Sequence, residues 1–412
     1  MNMKILIRNA PNTYNYGSMM MCENIIKELN KRIEEPEYYI DNATSDNIDR
    51  LKKATEYEKI YSENIYKEKF LLKSGILAKV ERKVKYELYQ AKVIRKAKKF
   101  DCILVLGGDD FAETYSNKKY ALKALQQLDG LNKKSKVIML GQTIGPYTGK
   151  RKEFASKLFK KINVYTRDDV SGKYLEEEIG VKPIISRDLA FLDLHLQEKY
   201  NNNYKNILEK YELSDNDYIV VVGTGLAKWY CNNEDNFYSN FIKIIDNLKT
   251  KYSNKKIVWL SHVTTAEPAL SDNTMLKMIN SKYNNYINEN LTVIKEQILP
   301  VEARIILGHA YFTLTCRMHA AVSSFQMGKP AICLSYSSKY KGVIAEGLKM
   351  NNLVIEAKNE ELWQSGIVDI VNEKVDYVEK NYDDLTKKIK ENVSNCQEIV
   401  KKTLDEIATI IK

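Results

Sequence analysis

The feature that most constrains this chain is a repeated alternation. Short apolar runs, each long enough for one buried strand, give way to longer segments with helical spacing. That rhythm belongs to parallel βα units and not to a sandwich or a bundle. In the first half the spacing predicts strands over 4–8, 102–106, 137–140, 164–166 and 183–185, with helices opening near Ser18, Tyr115, Thr148 and Asp168. A polar stretch with Asn201, Asn202 and Asn203 reads as a linker over 196–217. The rhythm then restarts at 218–222, 256–260, 291–294, 311–315 and 331–334. From Asn359 the pattern is helical to the end, with Trp363, Ile367, Ile370 and Val371 on one face. The expected fold is α/β: two Rossmann-like lobes facing a cleft. The first covers 1–195, with a basic helical insertion at about 42–99. After the linker, the second covers 218–357, and a helical extension covers 358–412.

The 412 residues are 44% hydrophobic and 29% charged, enough for two cores. No apolar run approaches the roughly 20 residues that span a bilayer. MNMKILIRNAPN at the amino terminus reads as a first strand and not as a leader, so a cytoplasmic protein is expected. Six cysteines, at 22, 102, 231, 316, 333 and 396, form no C-x-x-C pair and no cluster with histidine. Neither a metal site nor a disulfide framework is implied. They read as small core residues in a reducing compartment.

The net charge is +10, and its location matters more than its size. Residues 67–99 hold twelve Lys or Arg against three Glu, nearly the whole excess. Within this stretch Leu77, Val80, Val84, Leu88, Ala91 and Ile94 form an apolar helical stripe. Such a helix can pack its stripe on the first lobe. It can equally rest on an anionic membrane, making the protein peripheral at the inner face through about 67–99. Nucleic acid is not an expected partner, because the cations crowd one helix and belong to no recognised binding module.

In open parallel sheets, ligands bind outside the carboxyl ends of the strands. Thr315-Cys316-Arg317-Met318-His319 places Arg317 and His319 where a strand gives way to a helix. There the free N–H groups and the helix dipole favour an anion. Lys339 follows the next strand. The bland alternative is two solvated cations and a histidine capping a core helix. Gly107 and Gly108, after the strand CILVL, allow either close approach to a ligand or a plain tight turn. Asp109 or Asp110 can accept a proton from a hydroxyl or cap a helix. His262, after KIVWLS, falls at a crevice position, whereas His195 and His309 read as structural.

The run LPVEARIILGHAYFTLTCRMHAAVSSFQMGKPAICLSYSSKYKGVIAEGLKM, residues 299–350, resembles the carboxy-terminal signature of the polysaccharide pyruvyl transferases. Asn15-Tyr16-Gly17-Ser18, Leu106-Gly107-Gly108-Asp109, Gly141-Gln142-Thr143-Ile144-Gly145-Pro146, Thr166-Arg167-Asp168-Asp169-Val170-Ser171 and Arg187-Asp188-Leu189-Ala190-Phe191 follow the family's order. The resemblance implies two lobes like those of GT-B glycosyltransferases. It also implies transfer of a pyruvyl group from phosphoenolpyruvate to a sugar of a cell-surface polysaccharide or its lipid-linked precursor, forming a ketal. Arg167, Arg317, His319 and Lys339 match the family's functional positions. Asn15, Gly17, Gly107, Gly108, Asp109, Gln142 and His262 are the expected substrate contacts. Three positions depart from the family: Ser18 replaces an acid, Thr143 stands where Gly is common, and Tyr311 where Asp is common.

The residue types suit that chemistry. A phosphate and a carboxylate on one small frame call for several fixed cations. Protonating the enol methylene calls for a general acid, and His319 is the candidate. No step requires a cofactor or a metal, and phosphoenolpyruvate enters as donor substrate. The alternative is a GT-B-type glycosyltransferase in which the same cations hold the diphosphate of a nucleotide sugar.

Overall fold

A computed structural model describes residues 2–63, 76–112 and 118–412. These form two compact units: Met1–Thr13, Met21–Ser186 and Lys401–Lys412 in the first, and Tyr14–Met20 with Arg187–Val400 in the second. The first unit holds β1 (Lys4–Arg8), β2 (Glu37–Asp41), β3 (Ile60–Glu63), β4 (Cys102–Leu106), β5 (Lys136–Gln142), β6 (Asn163–Thr166) and β7 (Ile184–Ile185). They form one parallel sheet in the order β3-β2-β1-β4-β5-β6-β7. The second holds β8 (Tyr218–Val222), β9 (Lys256–Leu260), β10 (Thr292–Ile294), β11 (Thr313–Thr315), β12 (Ala331–Ser335) and β13 (Val354–Glu356). This sheet is also parallel, in the order β10-β9-β8-β11-β12-β13.

The central strands are apolar on both faces because helices cover both sides of a parallel sheet. Every residue of β4, β8 and β12 is buried. Both strand orders reverse beside the first strand of the unit, between β1 and β4 and between β8 and β11. In a doubly wound sheet that reversal opens a crevice at the carboxyl edge.

The structure corrects several expectations. The stretch 42–99 is not helical throughout: β3 adds an edge strand to the first sheet between the helices Ser45–Thr55 and Ile76–Ala97. β2 and β3 read EYYID and IYSE, too mixed in polarity to announce buried strands. The stretch 196–217 is no loose linker. It carries the helices Gln197–Asn202 and Tyr204–Glu209, and its Ile207, Leu208 and Leu213 join the core around Tyr218 and Val220. The division between units falls at Ser186 and Arg187, and the extension 358–412 is shared, with Lys401–Lys412 belonging to the first unit. There Thr403 donates to Ser186 Oγ at 2.9 Å, and Arg32 pairs with Asp405 at 2.7 Å. The expected helix start near Tyr115, residues 67–75 of the basic stretch and the Leu77 side chain lie outside the described residues.

The apolar stripe of helix Ile76–Ala97 is split. Val93 and Ala97 are buried and Ile94 packs over Gly130, whereas Val80, Val84 and Leu88 are exposed at 53%, 51% and 58%. The reading in which the stripe packs on its own lobe therefore holds only for the last turns of the helix.

Candidate active site

In the second unit, the segment Tyr14–Met20 is tied to the loop after β9. Asn15 forms an antiparallel bridge with Val263, Tyr16 N donates to the His262 carbonyl at 3.3 Å, and Thr264 N donates to the Tyr14 carbonyl at 2.8 Å. This fixes Gly17 against the helix Met318–Gln326, where His319 occupies the first turn. A Cβ on Gly17 would stand 2.1 Å from His319 Nδ1, so only glycine leaves room for this ring.

His319 Nε2 faces Asp188 Oδ2 at 3.3 Å. Asp188 is fully buried, and its other oxygen accepts from Ala190 N at 2.9 Å. The loop is clamped in turn by the buried Arg304, which donates to the carbonyls of Ala190 at 2.7 Å and Leu192 at 2.8 Å. The imidazole is thereby held from two sides by segments far apart in sequence.

Arg317 caps the same helix. Its Nε donates to Asp272 Oδ1 at 2.8 Å and its Nη2 to the Leu270 carbonyl at 2.5 Å. Asp272 Oδ2 also accepts from the backbone N–H groups of His262 at 2.9 Å and Val263 at 2.8 Å. Burial pushes the Asp272 carboxyl above its ordinary value, an effect that Arg317 and these N–H donors offset only in part. Burial opposes the Arg317 charge too, but the facing carboxylate outweighs it and holds the guanidinium above its ordinary value. Arg317 is thus a braced cation, half neutralised before any ligand arrives, and not the free one that the sequence led us to expect.

His262 is buried against the Tyr16 ring, with centroids 5.3 Å apart. Burial, followed by the nearby charges of His319, Arg317 and Arg304, pushes its pKa well below the ordinary value, so it is neutral at physiological pH. Lys339, after β12, donates to Tyr336 Oη at 2.7 Å, with its ammonium 4.6 Å from that ring. Tyr340 Oη donates to the Cys316 carbonyl at 2.7 Å, locking the backbone next to Arg317. Tyr311 lies at the opposite, amino end of β11, stacked on Tyr382 at 4.6 Å, so its departure from the family pattern concerns packing. His309 likewise stacks on Tyr204 and meets Asp215.

In the first unit, Arg167 is buried at the carboxyl end of β6 and donates from Nε to Thr143 Oγ1 at 3.0 Å. Thr143 passes its own proton toward Asp168 Oδ2 at 3.3 Å. The hydroxyl that replaces glycine here therefore holds Arg167. Gln142 is not placed as a ligand contact, because its amide nitrogen donates to the Val105 carbonyl at 3.0 Å and the Leu106 carbonyl at 2.7 Å. A register shift at Gly141, whose φ is +75°, turns it that way. Gly107 serves strand packing, since a Cβ there would fall 1.7 Å from the Gly141 carbonyl oxygen. Gly108, Asp109 and Asp110 form a turn ahead of the Phe111–Ile144 bridge, and the helix cap considered for the two acids is not made, because the described helix begins at Lys118.

The second unit thus brings Asn15, Gly17, His262, Arg317 and His319 together at one sheet edge, with Lys339 on the adjoining strand end. Sequence reading assigned no role to Asp188, Asp272 or Arg304. Asp188 stands in the R-D-L-A-F motif, but nothing in its spacing pointed to His319, and Asp272 carried no signal at all.

A family model for polysaccharide pyruvyl transferase matches residues 15–338. The chain belongs to this family. Its members are enzymes of polysaccharide biosynthesis, and pyruvyl transfer onto polysaccharide is the activity that membership gives. The polysaccharide pyruvyl transferase chain is also similar to the amylovoran biosynthesis protein AmsJ of Erwinia amylovora, 23% identical over 374 residues, 84% of this chain and 86% of that protein. Among solved structures it is similar to UDP-GlcNAc 2-epimerase from Neisseria meningitidis, solved with UDP-GlcNAc bound. The TM-score is 0.61 at 16% identity, covering 98% of this chain and 99% of that one. It is also similar to a glycosyltransferase from Rickettsia africae, with a TM-score of 0.59 at 14% identity, covering 100% of this chain and 98% of that one. At such identities the likeness concerns the fold: two Rossmann-like units of GT-B type, followed by a helical tail.

Proposed function

We propose that this polysaccharide pyruvyl transferase uses phosphoenolpyruvate as donor and forms a cyclic pyruvate ketal on two hydroxyls of one sugar, in a cell-surface polysaccharide or its lipid-linked precursor. The observation that carries the reading is the His319 ring, seated on Gly17 and held by Asp188 beside the braced Arg317. His319 delivers a proton to the methylene carbon as one sugar hydroxyl adds to the neighbouring carbon, and the proton that this hydroxyl loses restores the imidazolium. The carbon–phosphate oxygen bond then breaks, and the second hydroxyl closes the ring, its proton leaving with the phosphate. Arg317 receives the anion through Nη1, which takes no part in the contacts to Asp272 and Leu270, and Lys339 stabilises the departing phosphate. Arg167, held by Thr143, is the motif cation of the first unit, and its part in turnover is read by an Arg167→Met variant.

A second reading rests on the full-length fold likeness to proteins of nucleotide-sugar chemistry: a glycosyltransferase whose cations hold a diphosphate. Incubation with phosphoenolpyruvate, or separately with UDP- and GDP-sugars, in the presence of mixed glycans separates the two. Phosphate release with a pyruvate ketal detected by mass spectrometry is the expected result. Nucleotide release without phosphate release from phosphoenolpyruvate overturns the proposal in favour of the second reading.

A further inference from the structure

The helix Ile76–Ala97 presents two different faces. Its inner face is fixed over the carboxyl-terminal half, residues 86–97. Val93 and Ala97 are buried, Ile94 sits on Gly130, Gln127 donates to Gln90 Oε1 at 2.5 Å, and Lys123 pairs with Glu87 at 2.8 Å while covering the Tyr86 ring at 3.9 Å. These contacts set the helix rotation, so its outer face is determined and not a frayed edge. Val80, Val84, Leu88 and Ala91 stand on that outer face, one above another at helical spacing. They cover about 16 Å of helix. Exposed Lys83 lies on one side of the row and exposed Lys92 on the other, exposed Arg95 continues the row after Ala91, and Glu87 on the Lys83 side is neutralised by Lys123.

A continuous apolar row with cations along both margins is the pattern of a helix lying in a membrane interface. The aliphatic side chains enter the acyl boundary and the Lys and Arg stems reach back to the headgroups. The charge distribution argues for lipid over an apolar protein partner. The chain's net charge is +10, and 67–99 alone supplies twelve of the basic residues against three acidic ones. So concentrated a cationic segment is drawn to an anionic leaflet and to little else on an otherwise nearly neutral protein.

We infer that the outer face of helix Ile76–Ala97, with Val80, Val84 and Leu88 at its centre, docks this enzyme on an anionic lipid surface. The inference goes beyond the donor chemistry and holds whichever acceptor is used.

The test is co-sedimentation of the full chain with vesicles of phosphatidylcholine containing about a third phosphatidylglycerol, beside vesicles of phosphatidylcholine alone. The expected result is binding to the anionic vesicles that weakens with salt. It should fall at least tenfold in Val84→Asp/Leu88→Asp and in Lys83→Glu/Lys92→Glu/Arg95→Glu, with the melting temperature and turnover of soluble substrate unchanged in both. Failure of the wild type to bind anionic vesicles overturns the inference, as does wild-type binding by Val84→Asp/Leu88→Asp. Light scattering that shows a dimer abolished by the same aspartates also overturns it, since the occupant of the face is then a second copy.

Discussion

Gly17 and His319 share one volume: the space a side chain would fill at the first is taken by the imidazole nitrogen of the second, 2.1 Å from the Cβ position. A motif near the amino terminus therefore exists, in physical terms, to seat a ring supplied some three hundred residues later. The seat is built inside the second unit, because Tyr14–Met20 is bonded to the loop after β9. Gly17→Ala is expected to displace the ring while leaving the fold intact. Phosphate release from phosphoenolpyruvate should fall at least tenfold in kcat, about 1.4 kcal/mol of transition-state stabilisation. Wild-type turnover in this variant sinks the seat as a catalytic requirement.

Asp188 is a positioning residue, acting through His319. Asp188→Asn keeps an oxygen for Ala190 N but removes the carboxylate that holds Nε2. We expect kcat to drop on the order of a hundredfold, as for loss of a group that orients a general acid or base. Donor KM should change little, the pH profile of kcat should change shape, and the melting temperature should barely move. Equal losses of activity and stability would mean that Asp188 only supports the loop.

Asp272 holds Arg317 in place. Asp272 is fully buried and the Arg317 side chain is 12% exposed, so Asp272→Asn leaves a largely buried guanidinium without its counter-charge, at a cost below the about 3–5 kcal/mol of a fully buried unpaired ion. Denaturant unfolding should show that loss. Donor binding by the remaining folded enzyme should shift as well, since Arg317 is then free to reorient. A variant as stable as wild type contradicts the assignment of this pair as a buried brace.

His262 gives a pH dependence of defined sign. Burial holds its folded pKa well below the ordinary 6.5, so the unfolded chain takes up a proton below that pH while the folded chain does not. Proton uptake by the unfolded state alone makes stability fall as pH drops below about 6.5, by at most about 1.4 kcal/mol per pH unit for one group. His262→Gln should flatten this part of the stability curve, measured by melting between pH 5 and pH 7 (on the order of two pH units, the window in which an unperturbed imidazole titrates). An unchanged slope refutes it.

The sequence made the parallel-sheet architecture legible because a strand buried on both faces must be apolar throughout, and CILVL, YIVVV and KIVWL carry that mark locally. The outer strands β2 and β3 escaped notice for the same reason, since β2 is buried only in part and Tyr61 in the edge strand β3 faces solvent, so neither needs an apolar run. The Arg-x-His site was legible as a strand-to-helix junction. Its partners were not: Asp188 and Asp272 are acids in loops, indistinguishable in sequence from solvated ones. Gln142, Gly107 and the helix Ile76–Ala97 show the converse. Each matched a pattern that admitted a ligand or a packing role, and only the neighbouring strand carbonyls, the Gly141 backbone or the direction of the apolar row chose between them.

By itself the amino-acid order settled the alternation of buried strands and amphipathic helices, the concentration of positive charge in one segment, and the presence of an imidazole two residues after an arginine at a strand end. Those are matters of short-range burial and spacing, which a chain declares within a dozen residues. Which carboxylate meets which cation, why a glycine stands at position 17, and which side of a helix is left uncovered depend on crossover connections. These bring residues 17, 188, 272 and 319 to one sheet edge, and such proximity arises only when the strands are stacked in their reversed order.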